Sequence, residues 1–485
     1  MIFKLAYAAL VAASTLVAGQ SLQAALHTAS WNSTFKLSVK QLELANLTQD
    51  MGDQINNIIN FDRTLLANGG PHEDDFYSLP PDLKVPKSAG ELIKLQESTD
   101  PKPFTIPAPT AMSRFLYSTT NINGTLVPAS AYILWPYTAK KLKGIKSKKV
   151  PTVLWTHGTS GWYPSGGPST HRSLFYQDFV PYALALEGYA VIAPDYAGLG
   201  IGKSWDGTDV PHQYGIYQAG GSDALNALRA ALVAFPERLT HNYVNVGHSQ
   251  GGAVGWGVSE LLAQKKGQFQ DLVKGHLGTL LFAPPIDGFA LPPNSILVWV
   301  GKYLKQVFPE FELSDWLTPL GIDRVKLFNE VEGSQMVSQF LFQPEEAIVQ
   351  PDWMDTWAVS ALRQLSTPGK KPWKGPMLVI HGDKDPAVSY NTSLVVAKET
   401  CKKYPGDLEH MRVPGVGHFP SMYATRGIWL DWLEDRFEGR RVQKRGCAQS
   451  VVDRFLPEDH YQPAPNSFLL WAGKSQWAYE LPQGH

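Results

Sequence analysis

The chain has 485 residues, of which 44% are hydrophobic, so it is long enough to bury a large core. Lysine and arginine together number 43, against 44 aspartate and glutamate residues, and the net charge is close to zero. Because nucleic-acid binding needs a basic surface, this balance argues against a nucleic-acid partner. The length allows two or three domains, or one α/β domain with large insertions.

The N-terminus has the pattern of a secretory signal peptide. Lys4 precedes an apolar run from Leu5 to Ala18, and small and polar residues follow. This run is short for a membrane span. We therefore predict a signal peptide over residues 1–20, ending between residues 18 and 24, and a secreted protein. A single N-terminal membrane anchor is the alternative.

Two further features agree with secretion. The chain contains four acceptor sequences for N-glycosylation, at Asn32, Asn46, Asn123 and Asn391. Its two cysteines, Cys401 and Cys447, can pair in an oxidising compartment, and two free buried thiols are the alternative. The dibasic Lys444-Arg445 is either a processing site or an exposed charged stretch.

The first part of the chain is mixed in character. We predict that residues 21–110 form an N-terminal extension that wraps the core. Within it, residues 41–61 have helical apolar spacing, and a proline-rich stretch follows. Residues 114–136 form two β-rich runs around a turn at Asn121–Gly124, which predicts a hairpin.

From residue 150 onward, buried strand patterns alternate with helical ones. The strand runs are VPTVLWTHG, YAVIAPDYAGLG, YVNVGHSQGG, HLGTLLFAPP and GPMLVIHGDKD. Such alternation predicts the α/β class, with a mostly parallel sheet covered by helices on both faces. We assign residues 111–285 and 374–446 to this core and residues 447–485 to a C-terminal tail.

Residues 286–373 interrupt the alternation. They show helical patterns rich in large apolar residues and no clear strand. Ligands of parallel sheets bind at the carboxyl ends of the strands, where this insertion would lie. We therefore predict a helical cap, which is also a candidate surface for contact with a lipid interface. A second small domain with its own core is the alternative.

The segment GHSQG matches the pattern G-x-S-x-G around Ser249. In this pattern a serine on a sharp strand-to-helix turn projects its hydroxyl above the sheet. A β-type run precedes Ser249 and an amphipathic run follows it, which is the expected context. Ser249 is our candidate nucleophile, and a glycine-rich turn with a solvent-exposed serine is the alternative.

A nucleophilic serine needs a histidine base and an acid that orients it. Asp385 follows the strand MLVIHG and is preferred as the acid over Asp383, which is better placed to cap the turn. His418 follows the next strand in a glycine-rich loop and is preferred over His410, which precedes that strand. The order serine, acid, histidine is the one expected for this architecture.

The oxyanion of such a reaction needs backbone donors. We predict the N–H of Gln250, directly after the nucleophile, and the N–H of Thr159, in the loop after an early strand; Ser160 is the alternative to Thr159. No metal-binding or nucleotide-binding signature is present, so we expect neither a metal nor a cofactor.

Together these motifs resemble those of the secretory lipase family of α/β-hydrolases, the lipase-A type. The resemblance covers residues 110–435, and it is strongest in VGHSQGG and in the stretch HQYGIYQAGGSDALNALRAA. It implies a secreted serine hydrolase of carboxylic esters with a helical cap and no cofactor. It carries the nucleophile, acid and base onto Ser249, Asp385 and His418.

We therefore expect a small-molecule or lipid ester as the substrate, with a hydrophobic acyl or polycyclic part. Esters of acylated natural products are an alternative to glycerides. A serine peptidase on the same fold is another alternative, because the cap carries acidic residues that could hold a substrate amine. A binding protein without activity is a third, although such proteins commonly lose a member of the triad, and all three candidates are present here.

Overall fold

The structure is a computed structural model, and it describes residues 34–143, 149–286 and 303–455. The predicted signal peptide, Asn32 and most of the predicted C-terminal tail lie outside these residues.

A ten-stranded sheet organises the described residues. Its strands are β1 Leu92–Gln96, β2 Thr110–Thr120, β3 Leu126–Pro136, β4 Val150–Thr156, β5 Ala190–Pro194, β6 Leu239–His248, β7 His276–Phe282, β8 Met377–Gly382, β9 Leu408–Val413 and β10 Cys447–Val451. Their spatial order is β1-β2-β3-β5-β4-β6-β7-β8-β9-β10. The pairs from β1 to β5 are antiparallel, and every pair from β5 to β10 is parallel. The predicted α/β class is confirmed.

Helices cover both faces of this sheet and form the cap. They are α1 Val39–Leu44, α2 Gln49–Thr64, α3 Pro181–Leu186, α4 Tyr217–Ala234, α5 Gln250–Ala263, α6 Gln270–Val273, α7 Pro319–Glu330, α8 Gln335–Leu341, α9 Glu345–Ile348, α10 Trp357–Ser366, α11 Tyr390–Lys403, α12 Pro420–Ala424 and α13 Arg426–Phe437. In the described ranges, no helix combines the length and hydrophobicity needed to cross a membrane.

The central strands are apolar because both of their faces are covered. Val153, Val246, Leu280 and Val379, from β4, β6, β7 and β8, have no exposed surface. Strands buried on both sides are continuous apolar runs rather than alternating ones, as in these four. The predicted hairpin is confirmed: β2 and β3 pair antiparallel along their full length, from Thr110–Pro136 to Thr120–Leu126.

Helices α1 and α2 pack against the cap rather than against the sheet alone. Apolar side chains of α2 share a core with α7 and α8 and with the loop after β4. Arg324 of α7 donates hydrogen bonds to the carbonyl oxygens of Ala45 at 2.9 Å and Leu341 at 2.8 Å, and so ties the cap to the end of α1. The N-terminal helices therefore brace the cap from one side.

Neither edge strand of the sheet was predicted from the sequence. Strand β10 pairs in parallel with β9 and lies in the segment that we expected to be a tail. Cys447, at the start of β10, forms a disulfide with Cys401 of α11, so the predicted pairing is present. This bond ties the edge strand to a helix of the core.

Candidate active site

Ser249 occupies the sharp turn between β6 and α5. Its backbone angles are φ 55° and ψ −126°, a conformation that is costly for a residue with a side chain. The turn is held by a hydrogen bond of 2.9 Å from the Ser249 N–H to the carbonyl of Phe282, at the end of the neighbouring strand. A strained serine at the carboxyl end of a central strand is the arrangement expected of a nucleophile elbow.

The turn can close only because glycines surround it. A Cβ atom at Gly247 would overlap the carbonyl of Gly251 and the hydroxyl of Thr156. A Cβ atom at Gly251 would overlap the carbonyl oxygens of Thr156 and His157. The glycines of the G-x-S-x-G pattern therefore allow α5 to start directly against β4.

Asp385 lies in the loop after β8, and both oxygens of its carboxylate have hydrogen-bond partners. Its Oδ1 accepts hydrogen bonds of 2.8 Å from the backbone N–H groups of Ala387 and Val388. Its Oδ2 lies 2.6 Å from Nδ1 of His418 and 3.2 Å from Nε2 of His381. Burial favours the neutral acid, but the charge of His418 and these hydrogen bonds outweigh burial and hold the pKa of Asp385 well below its usual range.

His418 lies in the loop after β9, directly against the strand that leads to Ser249. The centroid of its ring is 4.4 Å from that of His248, the residue before Ser249. The Ser249 hydroxyl makes no hydrogen bond to His418 within the described residues, and such bonds are often long before substrate binds. The structure thus brings Asp385 and His418 into contact and places them beside the serine turn.

His248 is buried and lies 2.7 Å, through Nδ1, from the hydroxyl of Tyr176. Burial first, and the neighbouring His418 second, hold the pKa of His248 well below its ordinary value. The His248 ring therefore stays neutral.

Of the two predicted oxyanion donors, Gln250 begins α5, where the first N–H groups have no helical acceptor. Thr159 lies in the loop after β4, and its hydroxyl is 2.6 Å from that of Tyr214. Neither backbone N–H bonds to an acceptor among the residues that the structure describes. The loop before Thr159 abuts the serine turn, because a Cβ atom at Gly158 would lie 3.2 Å from the carbonyl of His248.

The rival acid and base have other partners. Asp383 accepts hydrogen bonds from the N–H of Gly415 at 2.7 Å and from Arg412 at 3.1 Å, and it holds the loop before His418. His410 is buried, and its Nε2 lies 2.9 Å from the hydroxyl of Ser393. Neither of them is hydrogen-bonded to Ser249 or His418.

His381 is a polar partner of the site that the sequence did not indicate. Its Nδ1 lies 2.7 Å from Ser393 Oγ, and its Nε2 lies 3.1 Å from the carbonyl of Val388. Because a carbonyl only accepts, Nε2 carries the proton and donates toward Asp385. A histidine four residues before the candidate acid, at the end of a buried strand, is the signal that could have drawn attention to it.

Three of the four predicted glycosylation residues fall within the described residues. Asn46, Asn123 and Asn391 are all exposed. Their accessibility is compatible with modification, which stays a prediction.

These features define an α/β fold with a strained serine and a histidine–carboxylate pair at the carboxyl ends of its strands. The chain matches the model of the alpha/beta hydrolase family over residues 153–428, which is more than half of its length. The chain belongs to this family. No curated protein matches it significantly.

Solved structures with this fold include enzymes. Candida antarctica lipase A in its closed state aligns with a TM-score of 0.60 at 15% identity, over 79% of this chain and 90% of that one. The rice cell wall degrading esterase LipA from Xanthomonas oryzae aligns with a TM-score of 0.53 at 17% identity, over 71% of this chain and 100% of that one. A putative hydrolase from Legionella pneumophila aligns with a TM-score of 0.53 at 16% identity, over 73% and 99%. At such identities the likeness concerns the fold.

Proposed function

We propose that the protein is a secreted serine hydrolase that cleaves carboxylic esters of hydrophobic substrates. In this proposal Ser249 is the nucleophile, His418 the general base and Asp385 the acid that orients the base. The observation that carries it is the 2.6 Å hydrogen bond between His418 and Asp385, formed beside a serine whose backbone φ is 55°. Two of the structures that share the fold are named as a lipase and an esterase.

The reaction follows from the roles of these three groups. His418 Nε2 takes the proton of the Ser249 hydroxyl while Oγ attacks the ester carbonyl, and the tetrahedral intermediate collapses when His418 returns the proton to the leaving alcohol. Water then attacks the acyl-enzyme, again with His418 as the base, and releases the acid and free Ser249. Asp385 stays ionised throughout, because its pKa lies well below its usual range, and it stabilises the imidazolium.

The N–H groups of Gln250 and Thr159 are the proposed donors to the oxyanion. They come from two segments that meet at the serine turn, the start of α5 and the loop after β4. A preorganised donor of this kind contributes roughly 3–4 kcal/mol to transition-state stabilisation. The hydrogen bond between the hydroxyls of Thr159 and Tyr214 helps to fix the loop that presents the second donor.

The substrate preference is assigned to the cap over residues 286–373, above a core of residues 111–285 and 374–446. The described part of the cap is rich in aromatic residues, and two of them, Phe340 on α8 and Trp357 on α10, are 39% and 48% exposed. Exposed aromatic groups on a cap favour hydrophobic substrates and contact with a lipid interface.

Secretion is part of the proposal. Its support is the N-terminal apolar run after Lys4, the disulfide between Cys401 and Cys447, and the exposed glycosylation residues. Disulfides persist in oxidising compartments and are rare in the cytosol.

Steady-state kinetics on a series of chromogenic esters of increasing acyl length, an emulsified triglyceride and a matched anilide test this function. We expect ester hydrolysis that exceeds anilide hydrolysis, and loss of roughly 10⁵–10⁶ in turnover for Ser249→Ala. Ser360→Ala, which alters an exposed serine of the cap, is the control and should leave the rates unchanged. Preference for the anilide would favour a peptidase, and activity that survives Ser249→Ala would refute the proposed nucleophile.

A further inference from the structure

A cavity of about 460 Å³ lies between the N-terminal helices, the loop after β4 and the cap. Its wall is formed by α2, by the segment around Ser160, and by the turn that joins α7 to α8. Ser249, Asp385 and His418 do not line it. Its volume falls in the range of small-molecule binding sites.

Residues from three segments that line this cavity each have a buried polar atom without a hydrogen-bond partner in the described structure. These atoms are Asp62 Oδ2, Ser160 Oγ and His171 Nδ1. The Ser160 and His171 residues are only 6% and 7% exposed. Buried polar atoms nearly always have a hydrogen-bond partner. Unpaired polar atoms from three separate segments around one cavity therefore indicate that a ligand supplies their hydrogen bonds.

Two of these atoms are acceptors. The Nε2 atom of His171 lies 3.0 Å from the carbonyl of Ser165, so Nε2 carries the proton and Nδ1 presents a lone pair. Burial lowers the pKa of His171 to about 4, which keeps the ring neutral. Asp62 already accepts a hydrogen bond from the side chain of Ser334, and its second oxygen is left to accept another.

The charged residues of the wall are mainly acidic. Besides Asp62, the carboxylates of Glu73, Glu330 and Glu332 line the cavity, against Arg63 and His72. His72 is already paired with Glu332, whose Oε2 lies 2.8 Å from its Nε2. The remaining wall includes the aromatic residues Phe35, Trp162, Tyr163 and Phe175.

We propose that this cavity is a binding site for a hydrophobic primary ammonium group. An ammonium has three N–H donors and no acceptor, which complements a wall that offers acceptors and a negative charge. Aromatic faces attract the cation and pack against the apolar part of the same molecule. This site goes beyond the proposed ester hydrolysis and does not depend on the chemistry at Ser249.

Isothermal titration calorimetry with 2-phenylethylammonium tests the proposal at about pH 8, above the pKa of about 7 that burial gives Asp62. We expect binding by the full-length protein and a loss of about tenfold or more for Asp62→Asn, which removes the charge but keeps the shape. Ser249→Ala should bind as the unchanged protein does, and so should Asp453→Asn, an exposed control.

Ser160→Ala provides a second variant if Asp62→Asn does not fold, and it should also weaken binding. The uncharged analogue 2-phenylethanol should bind more weakly than the ammonium. The proposal is overturned if the unchanged protein does not bind the ammonium, if the properly folded Asp62→Asn and Ser160→Ala variants both bind it equally well, or if the alcohol binds as tightly. Because Ser249→Ala still binds in this scheme, loss of ester hydrolysis and loss of this site are distinguishable.

Discussion

The Nε2 atom of His381 lies 3.2 Å from Oδ2 of Asp385, the same carboxylate oxygen that His418 contacts at 2.6 Å. His381 is itself held by Ser393, whose hydroxyl lies 2.7 Å from its Nδ1. The candidate acid is thus also held by a histidine near the end of β8, the strand that leads to it. Such a partner fixes the carboxylate without touching the substrate, which makes His381 a positioning residue.

We expect His381→Leu to lower kcat for ester hydrolysis by roughly 10–100-fold, the effect of losing one hydrogen bond to a charged group. The KM should change little, because His381 does not contact the substrate. Removing this donor should raise the pKa of Asp385, but from so far below its usual range that the carboxylate stays ionised at neutral pH. His381→Gln keeps an N–H donor and should recover part of the rate. An unaltered kcat in a folded His381→Leu variant would show that His381 does not act on Asp385.

Gly251→Ala should disrupt the serine turn. The added Cβ would overlap two backbone carbonyls, those of Thr156 and His157, and backbone cannot yield as a flexible side chain can. We expect a loss of at least about 2 kcal/mol in the free energy of unfolding and a loss of most of the activity.

Gly427→Ala is the matched control. Gly427 lies in α13 with open space around its Cβ position, and alanine should stabilise that helix by about 0.5–1 kcal/mol. Denaturant unfolding of both variants measures the difference, and equal stability of the two would contradict the crowding at the turn.

The disulfide closes a segment of 46 residues between Cys401 and Cys447. Loop-closure entropy for this length gives a stabilisation of about 4 kcal/mol, which engineered variants often only partly show. The double variant Cys401→Ala/Cys447→Ala should therefore unfold at a lower temperature, and β10 should lose protection in hydrogen exchange. Its activity at low temperature should persist, since the bond is remote in sequence from Ser249 and joins an edge strand to α11. An unchanged melting temperature would contradict a structural role for this bond.

Asp223 of α4 should make the stability pH-dependent. It is buried and accepts hydrogen bonds from Thr119 at 2.8 Å and from the N–H of Ala197 at 2.9 Å, and burial raises its pKa to about 7. Its folded pKa is above the unfolded value of about 4, so its contribution is fully present below about pH 4 and is lost as the pH rises through 7.

Asn at this position does not titrate. Relative to the unchanged protein, Asp223→Asn should therefore gain stability as the pH rises from 4 to 7, by up to a few kcal/mol. Chemical denaturation at several pH values measures this gain, with Asp453→Asn, at an exposed position, as the control. A constant difference between Asp223→Asn and the unchanged protein across this window would mean that the Asp223 carboxyl titrates normally in the folded state.

The parts of the fold that follow from the sequence are those with strong local patterns. Strands β4, β5, β6 and β8 run into turns that contain glycine, and β7 is an apolar run followed by Ala-Pro-Pro. The hairpin of β2 and β3 has a turn with Gly124 at φ 86°. Strands β1 and β10 escaped prediction because LIKLQ and CAQSV are short, partly exposed edge segments without a continuous apolar run. Edge strands bury one face at most, so their sequences carry a weaker signal.

The site, like the fold, has parts that local sequence patterns predict and parts that they do not. Ser249, Asp385 and His418 were predicted because each follows a strand, and parallel strands present their carboxyl ends at one edge. Contacts between distant segments were not predictable in this way. The helical spacing of residues 41–61 indicated α1 and α2 but not their packing against the cap. The position of His381, four residues before Asp385, was a local sign of their contact, whereas nothing local to Asp62 showed which groups it faces.

Covalent labelling tests directly whether Ser249 is the activated nucleophile. A fluorophosphonate reacts with a serine hydroxyl that a nearby base has activated, and mass spectrometry of the digested protein locates the adduct. We expect a single adduct on Ser249 that is lost in Ser249→Ala and forms much more slowly in His418→Ala, with no change in Ser360→Ala. A folded protein that is not labelled, or is labelled at another serine, would contradict it.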